Sequence, residues 1–269
     1  MRQLLLYAIA LAAILVPAFP IVWVLNISLH SQREAFSLPP NLQAPIIFDH
    51  YRSVWADESF RESFTNTVIV TAIGVALAMA IAVPSAYGLN RFRFRGKPLF
   101  GIWLLLAYML PEFLFAIPIY ILYQKTGLYD THFGLALIYQ VHSLPFAIWL
   151  VRSFFKEVSA ELDDAARIDG CTHLGTLRYV YIPVSTPGLA ATAILTAIWI
   201  WNELTIALAL TFTKAQTITV GVASFRGYTA MKWGETAAAS IIAIIPMLLF
   251  ALIAQRYIVK GLTLGSVKG

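Results

Sequence analysis

Cysteine and charge are both scarce in this 269-residue chain. Its single cysteine, Cys171, excludes an internal disulfide and a Cys-cluster metal site. His132, His142 and His173 show no metal-ligand spacing, and we interpret them as structural. The chain has no Walker-A pattern and no Ser/His/Asp arrangement in one accessible place, so neither ATP hydrolysis nor nucleophilic catalysis is predicted.

Charged residues make up 12% of the chain and hydrophobic residues 59%, whereas soluble domains carry roughly 25% charged residues. The mean hydropathy is +0.74. The net charge of +5 does not indicate nucleic-acid binding, because the basic residues lie in short loops between apolar segments rather than on one dense face. The composition predicts an all-α integral membrane protein.

Six apolar segments each exceed the roughly 20 residues that cross a bilayer. The first is too long for the apolar region of a signal peptide, and we interpret it as a retained helix. The six predicted spans are residues 4–29, 64–89, 99–123, 133–154, 187–212 and 236–257.

Lys and Arg are distributed unevenly between the two sides of the membrane. If both termini are cytoplasmic, twelve of the nineteen Lys and Arg residues lie inside, including the four within 91–97. Because cytoplasmic loops are enriched in these residues, we expect both termini in the cytoplasm.

The loop between the fourth and fifth spans reads as a helical hairpin over residues 157–183. Ser159 is placed to cap its first helix and Gly170 to end it in a left-handed conformation. The spacing pairs Asp163 with Arg167 at i, i+4. Another face of this helix is predicted to hold Leu162, Ala165, Ala166 and Asp169.

A second short helix follows, with Leu174, Leu177 and Tyr181 expected on one side and Pro183 at its end. Small alanines on an exposed face suit insertion into the groove of a partner protein. From the residues alone, an amphipathic linker lying on the bilayer surface remains an alternative.

The hairpin string Asp164-Ala165-Ala166-x-x-Asp169-Gly170, followed nine residues later by Val180-x-Ile182-Pro183, resembles the EAA loop of bacterial ABC-importer permeases. Asp164 stands where that family usually has Glu, so the carboxylate is kept with one methylene fewer. The resemblance implies that the hairpin couples to an ATPase subunit. The coupling residues it implies are Glu161, Asp164, Ala165, Ala166, Asp169, Gly170 and Pro183.

Three further motifs are similar to the carbohydrate-type permeases, at Pro118–Tyr120 with Gly127–Thr131, at Trp201–Leu204, and at 255–269. The match is to the second membrane subunit of maltose-type permeases. It implies a type I ABC importer fold in the bacterial cytoplasmic membrane. The implied partners are a different second permease subunit, two ATPase subunits that hold ATP and Mg, an extracytoplasmic binding protein and a carbohydrate. This chain itself is expected to bind no cofactor.

Polar residues also stand inside the apolar spans. A charge in the bilayer is costly unless it faces a cavity or a partner, so we expect these side chains to face the interior. Carboxylates and amides could bind sugar hydroxyls and a tryptophan could stack on a sugar ring, while interhelical hydrogen bonding is the alternative role. The candidate substrate-pathway residues are Glu112, Trp199, Trp201, Asn202 and Glu203.

The outer loop over residues 213–233 is polar and contains glycine. By resemblance it faces the binding protein, with Phe225, Arg226, Gly227 and Tyr228 as candidate contacts; a passive connector is the alternative. We divide the chain into a first span with its outer loop (1–62), a transport core (63–260) and a cytoplasmic tail (261–269).

The predicted function is a permease subunit that translocates a sugar delivered by a binding protein. Import of a polyol or of glycerol phosphate by the same fold is a near alternative. A passive channel and an intramembrane enzyme are more distant ones.

Overall fold

A computed structural model describes residues 2–37, 44–225 and 232–264. Within these ranges the chain forms helices and no strands, which confirms the all-α prediction. The N-terminal part contains α1 (Arg2–Leu29), α2 (Gln32–Ala35), α3 (Asp49–Ala56) and α4 (Glu58–Arg91).

The central part contains α5 (Lys97–Met109), α6 (Phe113–Thr126), α7 (His132–Ile138), α8 (Gln140–Phe155), α9 (Ala160–Ile168) and α10 (His173–Thr176). A π-helical segment, Leu177–Tyr181, continues into α11 (Ile182–Val184). The remaining helices are α12 (Thr186–Asn202), α13 (Thr205–Leu210), α14 (Ile218–Ser224) and α15 (Trp233–Leu264).

Among the described residues, three stretches of helix are long and apolar enough to span a membrane alone, in α1, α4 and α15. Three bent helix pairs raise the number to six if each pair forms one span. The third predicted span is broken between α5 and α6, which meet at 90°. Pro111 lies in this break, and its missing N–H and ring interrupt a continuous helix. The fourth span bends by 53° between α7 and α8.

The fifth predicted span, 187–212, is not continuous either. Helix α12 ends at Asn202 and α13 begins at Thr205. The third bent pair joins 173–184 to α12 at 81°, so the hairpin's second arm leads directly into this span. Three of the six predicted spans therefore contain a break, and the described residues still provide six spans if each bent pair counts as one.

Contacts divide the chain into two compact units, Met1–Phe64 with Ile218–Ile245, and Thr65–Thr217 with Pro246–Gly269. In the first unit, Ile27, Ala35 and Ala237 form a small apolar cluster, and the Ser28 and Tyr51 hydroxyls lie 2.7 Å apart. The domain boundaries drawn from the sequence stay a prediction.

The core of the second unit joins α4, α8 and the hairpin. Buried side chains from all three, including Tyr87, Phe155 and Tyr181, pack together in one cluster. Gly188 of α12 lies directly against the Phe154 ring, at a distance that leaves no room for a Cβ atom. This close packing supports the hairpin against the helices that carry the candidate transport site.

Candidate functional site

The hairpin helices begin and end where the sequence predicts. Ser159 has an extended backbone, and its hydroxyl accepts the Leu162 N–H at 3.4 Å at the start of α9. Gly170 adopts φ +82°, which is accessible to glycine at little cost. Thr172 caps α10 by accepting the Gly175 N–H at 3.2 Å. These caps fix the turn between the two arms of the hairpin.

Asp163 is turned into the protein rather than along the helix surface. It is 1% exposed, and its carboxylate lies 2.5 Å from the Arg91 guanidinium at the end of α4. Asp164 approaches the same guanidinium at 3.5 Å but is largely exposed. The predicted Asp163–Arg167 pair is therefore wrong, because an arginine from another helix competes for the carboxylate.

The outward face of the hairpin is apolar. Ile168 is 86% exposed and Leu174 is 73% exposed, and Ala165 lies beside them on the exposed side of α9. Ala166, in contrast, is buried, so the two alanines do not share a face. Leu177 and Tyr181 are buried whereas Leu174 is exposed, so these three side chains do not share one side as predicted.

The other implied coupling residues, Glu161, Asp164, Asp169, Gly170 and Pro183, are all exposed. Seven residues were predicted at this surface, and Ala166 is the one among them that the structure buries. The exposed set could contact a partner, while Ala166 supports the helix from inside. Their coupling role stays a prediction.

Of the candidate pathway residues, Glu112, Trp199 and Glu203 come together in the second unit. The Glu112 carboxyl lies near Glu203 and 3.9 Å from His142 Nδ1. The His142 ring stacks on Trp199, with centroids 4.3 Å apart and planes 12° apart. The Tyr108 ring also contacts the imidazole, with centroids 4.3 Å apart and planes tilted by 35°.

His142 was interpreted as structural from the sequence, yet it lies at the centre of this cluster. Its position in an apolar span was the available signal, since polar groups in such spans face the protein interior. Carboxyl, imidazole and aromatic groups together could hydrogen-bond hydroxyls and contact the apolar faces of a sugar.

Glu203 also has a local structural task. Its Oε1 accepts the Ile206 N–H at 2.7 Å and its Oε2 accepts the Ala207 N–H at 3.0 Å. The carboxylate thus satisfies two otherwise free amides at the start of α13, and it is itself buried. Both roles considered for Glu203, pathway contact and internal hydrogen bonding, are compatible with its position.

Trp201 and Asn202 do not join this cluster. Trp201 is buried with its edge against Phe250. The Asn202 amide donates to the Ile198 carbonyl at 2.8 Å and approaches Met247 Sδ at 3.4 Å. Through these contacts, Trp201 and Asn202 pack α12 against α15.

The predicted binding-protein contacts are only partly described. Phe225 packs edge-on against Phe60 at 5.8 Å within the first unit. Arg226, Gly227 and Tyr228 lie outside the described residues.

Asp130 is a functional candidate that the sequence prediction missed. It has φ +55°, and its carboxylate accepts the backbone N–H groups of four successive residues, 212–215, at 3.0–3.1 Å. It therefore holds the loop after α13 against the loop after α6. Its partners lie more than 80 residues away, so no local pattern indicates them.

The charge state of Asp130 follows from these contacts. Burial raises the pKa of its carboxyl, but the hydrogen bonds from Phe212, Lys214, Ala215 and Thr213 lower the pKa more, to about 2. The carboxylate is thus ionised at every physiological pH.

The chain matches a family model described as the binding-protein-dependent transport system inner membrane component, over residues 72–264. It is 36% identical to a trehalose transport system permease of Mycobacterium tuberculosis over 256 residues, covering 93% of this chain and 92% of the relative. It is 31% identical to a trehalose/maltose transport system permease of Thermococcus litoralis over 273 residues, covering 100% and 98%.

Among solved structures, a bacterial ABC transporter involved in import of the acidic polysaccharide alginate has a chain with TM-score 0.73 and 25% identity. The likeness covers 96% of this chain and 98% of that one. The chain therefore belongs to the family of binding-protein-dependent transport system inner membrane components. It is a type I ABC-importer permease, a transport component whose ATPase is a separate subunit.

Proposed function

We propose that this chain moves a carbohydrate across the cytoplasmic membrane as one of two different permease subunits, driven through its hairpin by two ATPase subunits. The observation that carries the proposal is the hairpin itself. It presents an apolar outer face and is tied from inside to α4 by the Asp163–Arg91 ion pair. ATP and Mg would be held by the ATPase partners.

The hairpin has the properties of a mechanical link. Its exposed Leu162, Ala165 and Ile168 offer small and apolar groups to a groove on the ATPase. Asp163, on the opposite face, connects the same helix to the end of a 34-residue helix. Closure of the ATPase pair would thus displace α9 and α4 together, as alternating access requires.

Carbohydrate is the substrate class that the relatives and the site favour together. The two curated relatives are named for trehalose and for trehalose/maltose transport. The cluster of Glu112, His142 and Trp199 supplies hydrogen-bonding groups beside aromatic rings, a combination suited to sugars. A soluble binding protein on the outer side would deliver the sugar.

The orientation follows from the same hairpin. If α9 contacts the ATPase, the hairpin and the basic segment 91–97 are cytoplasmic, and so are both termini. The Asp130-bound loop then lies on the outer side, where it could contribute to the surface that receives the binding protein.

Cysteine crosslinking tests the coupling role. In a Cys171→Ser background, Ile168→Cys places a thiol on the exposed face and should crosslink to the ATPase subunits of the assembled transporter. Ala166→Cys is the matched control, because Ala166 is 6% exposed and its thiol should react poorly. If Ile168→Cys gives no adduct in any nucleotide state while the complex assembles, the proposed coupling surface is wrong.

A further inference from the structure

A groove of about 470 Å³ lies between α5 and α8 on the surface of the second unit. Its walls are mostly apolar and include Ile102, Leu105, Ile148 and Trp149. The volume falls within the range of about 300–1,000 Å³ that is typical of small-molecule sites. Gly101 opens the groove, because no atom lies within 4 Å of the position where its Cβ would stand.

One end of the groove is cationic. A second hollow, lined by Arg93, Lys97 and Arg152, shares Pro98, Gly101 and Arg152 with the first. The charges of Arg93, Arg152 and Lys156 all act on the Lys97 ammonium. The apolar groove therefore opens directly into a cluster of positive charge.

These cations lack acidic partners. Within the described ranges, no carboxylate lies within 4.0 Å of Arg93, Lys97 or Arg152. Arg152 Nε is buried and has no hydrogen-bond partner among the described residues. A buried guanidinium N–H without an acceptor is costly, so an anion at this position would be stabilised.

The start of α5 adds to the attraction. This 13-residue helix begins beside the cations, has no acidic residue in its first turn and has no side-chain cap. The positive end of its dipole therefore faces the same hollow and favours an anion there.

We propose that this groove binds an anionic phospholipid, with the headgroup phosphate at Arg93, Lys97 and Arg152 and an acyl chain along the apolar walls. Charge complementarity selects this occupant over a zwitterionic lipid. The apolar groove selects it over a free phosphate ion, which has no chain to fill the walls. Basic pockets at the membrane surface bind acidic headgroups in this manner.

Native mass spectrometry of the purified transporter complex tests the proposal. With added phosphatidylglycerol, the wild type should retain lipid that it does not retain when phosphatidylcholine is added instead. Arg152→Gln and Lys97→Gln should each weaken retention about fivefold, the usual effect of one basic residue at an anionic surface. Millimolar inorganic phosphate should not displace the lipid.

Two further variants distinguish binding of the acyl chain from binding of the headgroup. Gly101→Leu places a side chain in open space and should reduce phosphatidylglycerol retention without removing a charge. Arg95→Gln is the matched control, since Arg95 is exposed on the same loop but does not line either hollow; it should retain lipid as the wild type does.

Equal retention of both lipids, or equal losses for Arg95→Gln and Arg152→Gln, would overturn the proposal. So would unchanged retention in Gly101→Leu or displacement by inorganic phosphate, since either would leave an ion site without a lipid groove. If Trp149→Cys, an exposed position on the groove wall, crosslinks to another subunit of the transporter, the groove is a protein interface and the proposal is overturned. Assembly of each variant is checked by recovery of the whole complex, so a folding failure is recognised separately.

Discussion

Asp163 carries the connection between the hairpin and α4, and its burial makes it sensitive to substitution. In Asp163→Asn the Arg91 guanidinium loses the carboxylate that lies 2.5 Å away. We expect a lower thermal unfolding midpoint of the purified transporter, equivalent to about 1–3 kcal/mol, because the ion pair with Arg91 is lost while a polar side chain stays buried.

Asp164→Asn is the control for Asp163, since it removes the same charge from a side chain that is 67% exposed and 3.5 Å from Arg91. Exposed ion pairs contribute about 0–1 kcal/mol, so its unfolding midpoint should change less. If Asp164→Asn destabilises as much as Asp163→Asn, Asp163 is not the carboxylate that connects the hairpin to α4.

Asp130 should control access to the loop that it binds. Asp130→Ala leaves the four amides of residues 212–215 without their carboxylate, and we expect faster trypsin cleavage after Lys214. Thr213→Val is the matched control, because it removes only the 3.2 Å hydroxyl contact and keeps the backbone bonds. Equal cleavage of the two variants would contradict the role assigned to the carboxylate.

The pH dependence of this loop has a definite sign. Folding lowers the pKa of Asp130 from 3.8 to about 2, so the carboxylate stabilises the folded loop fully above pH about 4 and loses this effect as the pH falls through about 2. Protection of Lys214 should therefore be constant between neutral pH and about pH 5. A loss of protection near neutral pH would point to another titrating group.

At the level of single residues, local spacing predicted the caps but not the long-range partners. Ser159 and Gly170 act on their own helix, so the chain around them was sufficient to identify their roles. Asp163 meets Arg91, which lies 72 positions earlier in the sequence, and Asp130 meets a loop 82 or more positions later. Such pairs depend on how the helices pack, which periodicity does not encode.

Helix breaks are the feature that separates the predicted spans from the observed ones. Hydropathy averages over a window and therefore recognises an apolar stretch whether or not its helix is continuous. Pro111 offered a local warning for the α5–α6 break. The break between α12 and α13 was harder to predict from the sequence. It depends on the Glu203 carboxylate, which accepts hydrogen bonds from two α13 amides in place of backbone carbonyls.

The break after α12 predicts that substitutions of Glu203 and of Glu112 change the stability of the protein by different amounts. Glu203→Gln keeps one acceptor oxygen and leaves one of the Ile206 and Ala207 amides unpaired in a buried site. We expect a loss of about 1–3 kcal/mol, measured as a lower thermal unfolding midpoint.

Glu112→Gln serves as the comparison, because Glu112 precedes α6 but its side chain makes no cap hydrogen bond there. Its unfolding midpoint should stay near the wild-type value, while the KM for sugar uptake changes. Equal destabilisation by both substitutions would mean that the carboxyl pair, rather than the cap of α13, stabilises this region.

The whole molecule exposes a large apolar surface. In α1, an 18-residue apolar window within Ile9–Leu29 has no buried residue, and α5 exposes Leu99, Trp103 and Met109. The family model matches residues 72–264, so α1 precedes the matched region. Such faces are compatible with lipid and with partner subunits, as expected for one component of a membrane complex.

This dependence on partners predicts how reconstituted protein behaves. Proteoliposomes that contain this chain with the proposed second permease subunit and the ATPase subunits should take up sugar when both ATP and the loaded binding protein are supplied. Omitting either should abolish uptake, because the chain has no ATP-binding motif of its own and is proposed to receive its motion through α9.

Matched proteoliposomes with the Ile168→Asp variant distinguish ATP-coupled transport through the hairpin from a passive channel. The charge would disrupt the apolar face that is proposed to dock on the ATPase. Because it replaces a side chain that is 86% exposed, it should leave the fold intact. Uptake should then fall while ATP hydrolysis no longer responds to the binding protein. Sugar flux that persists without ATP, in the wild type or in this variant, would instead identify a conducting pore and refute the coupling through the hairpin.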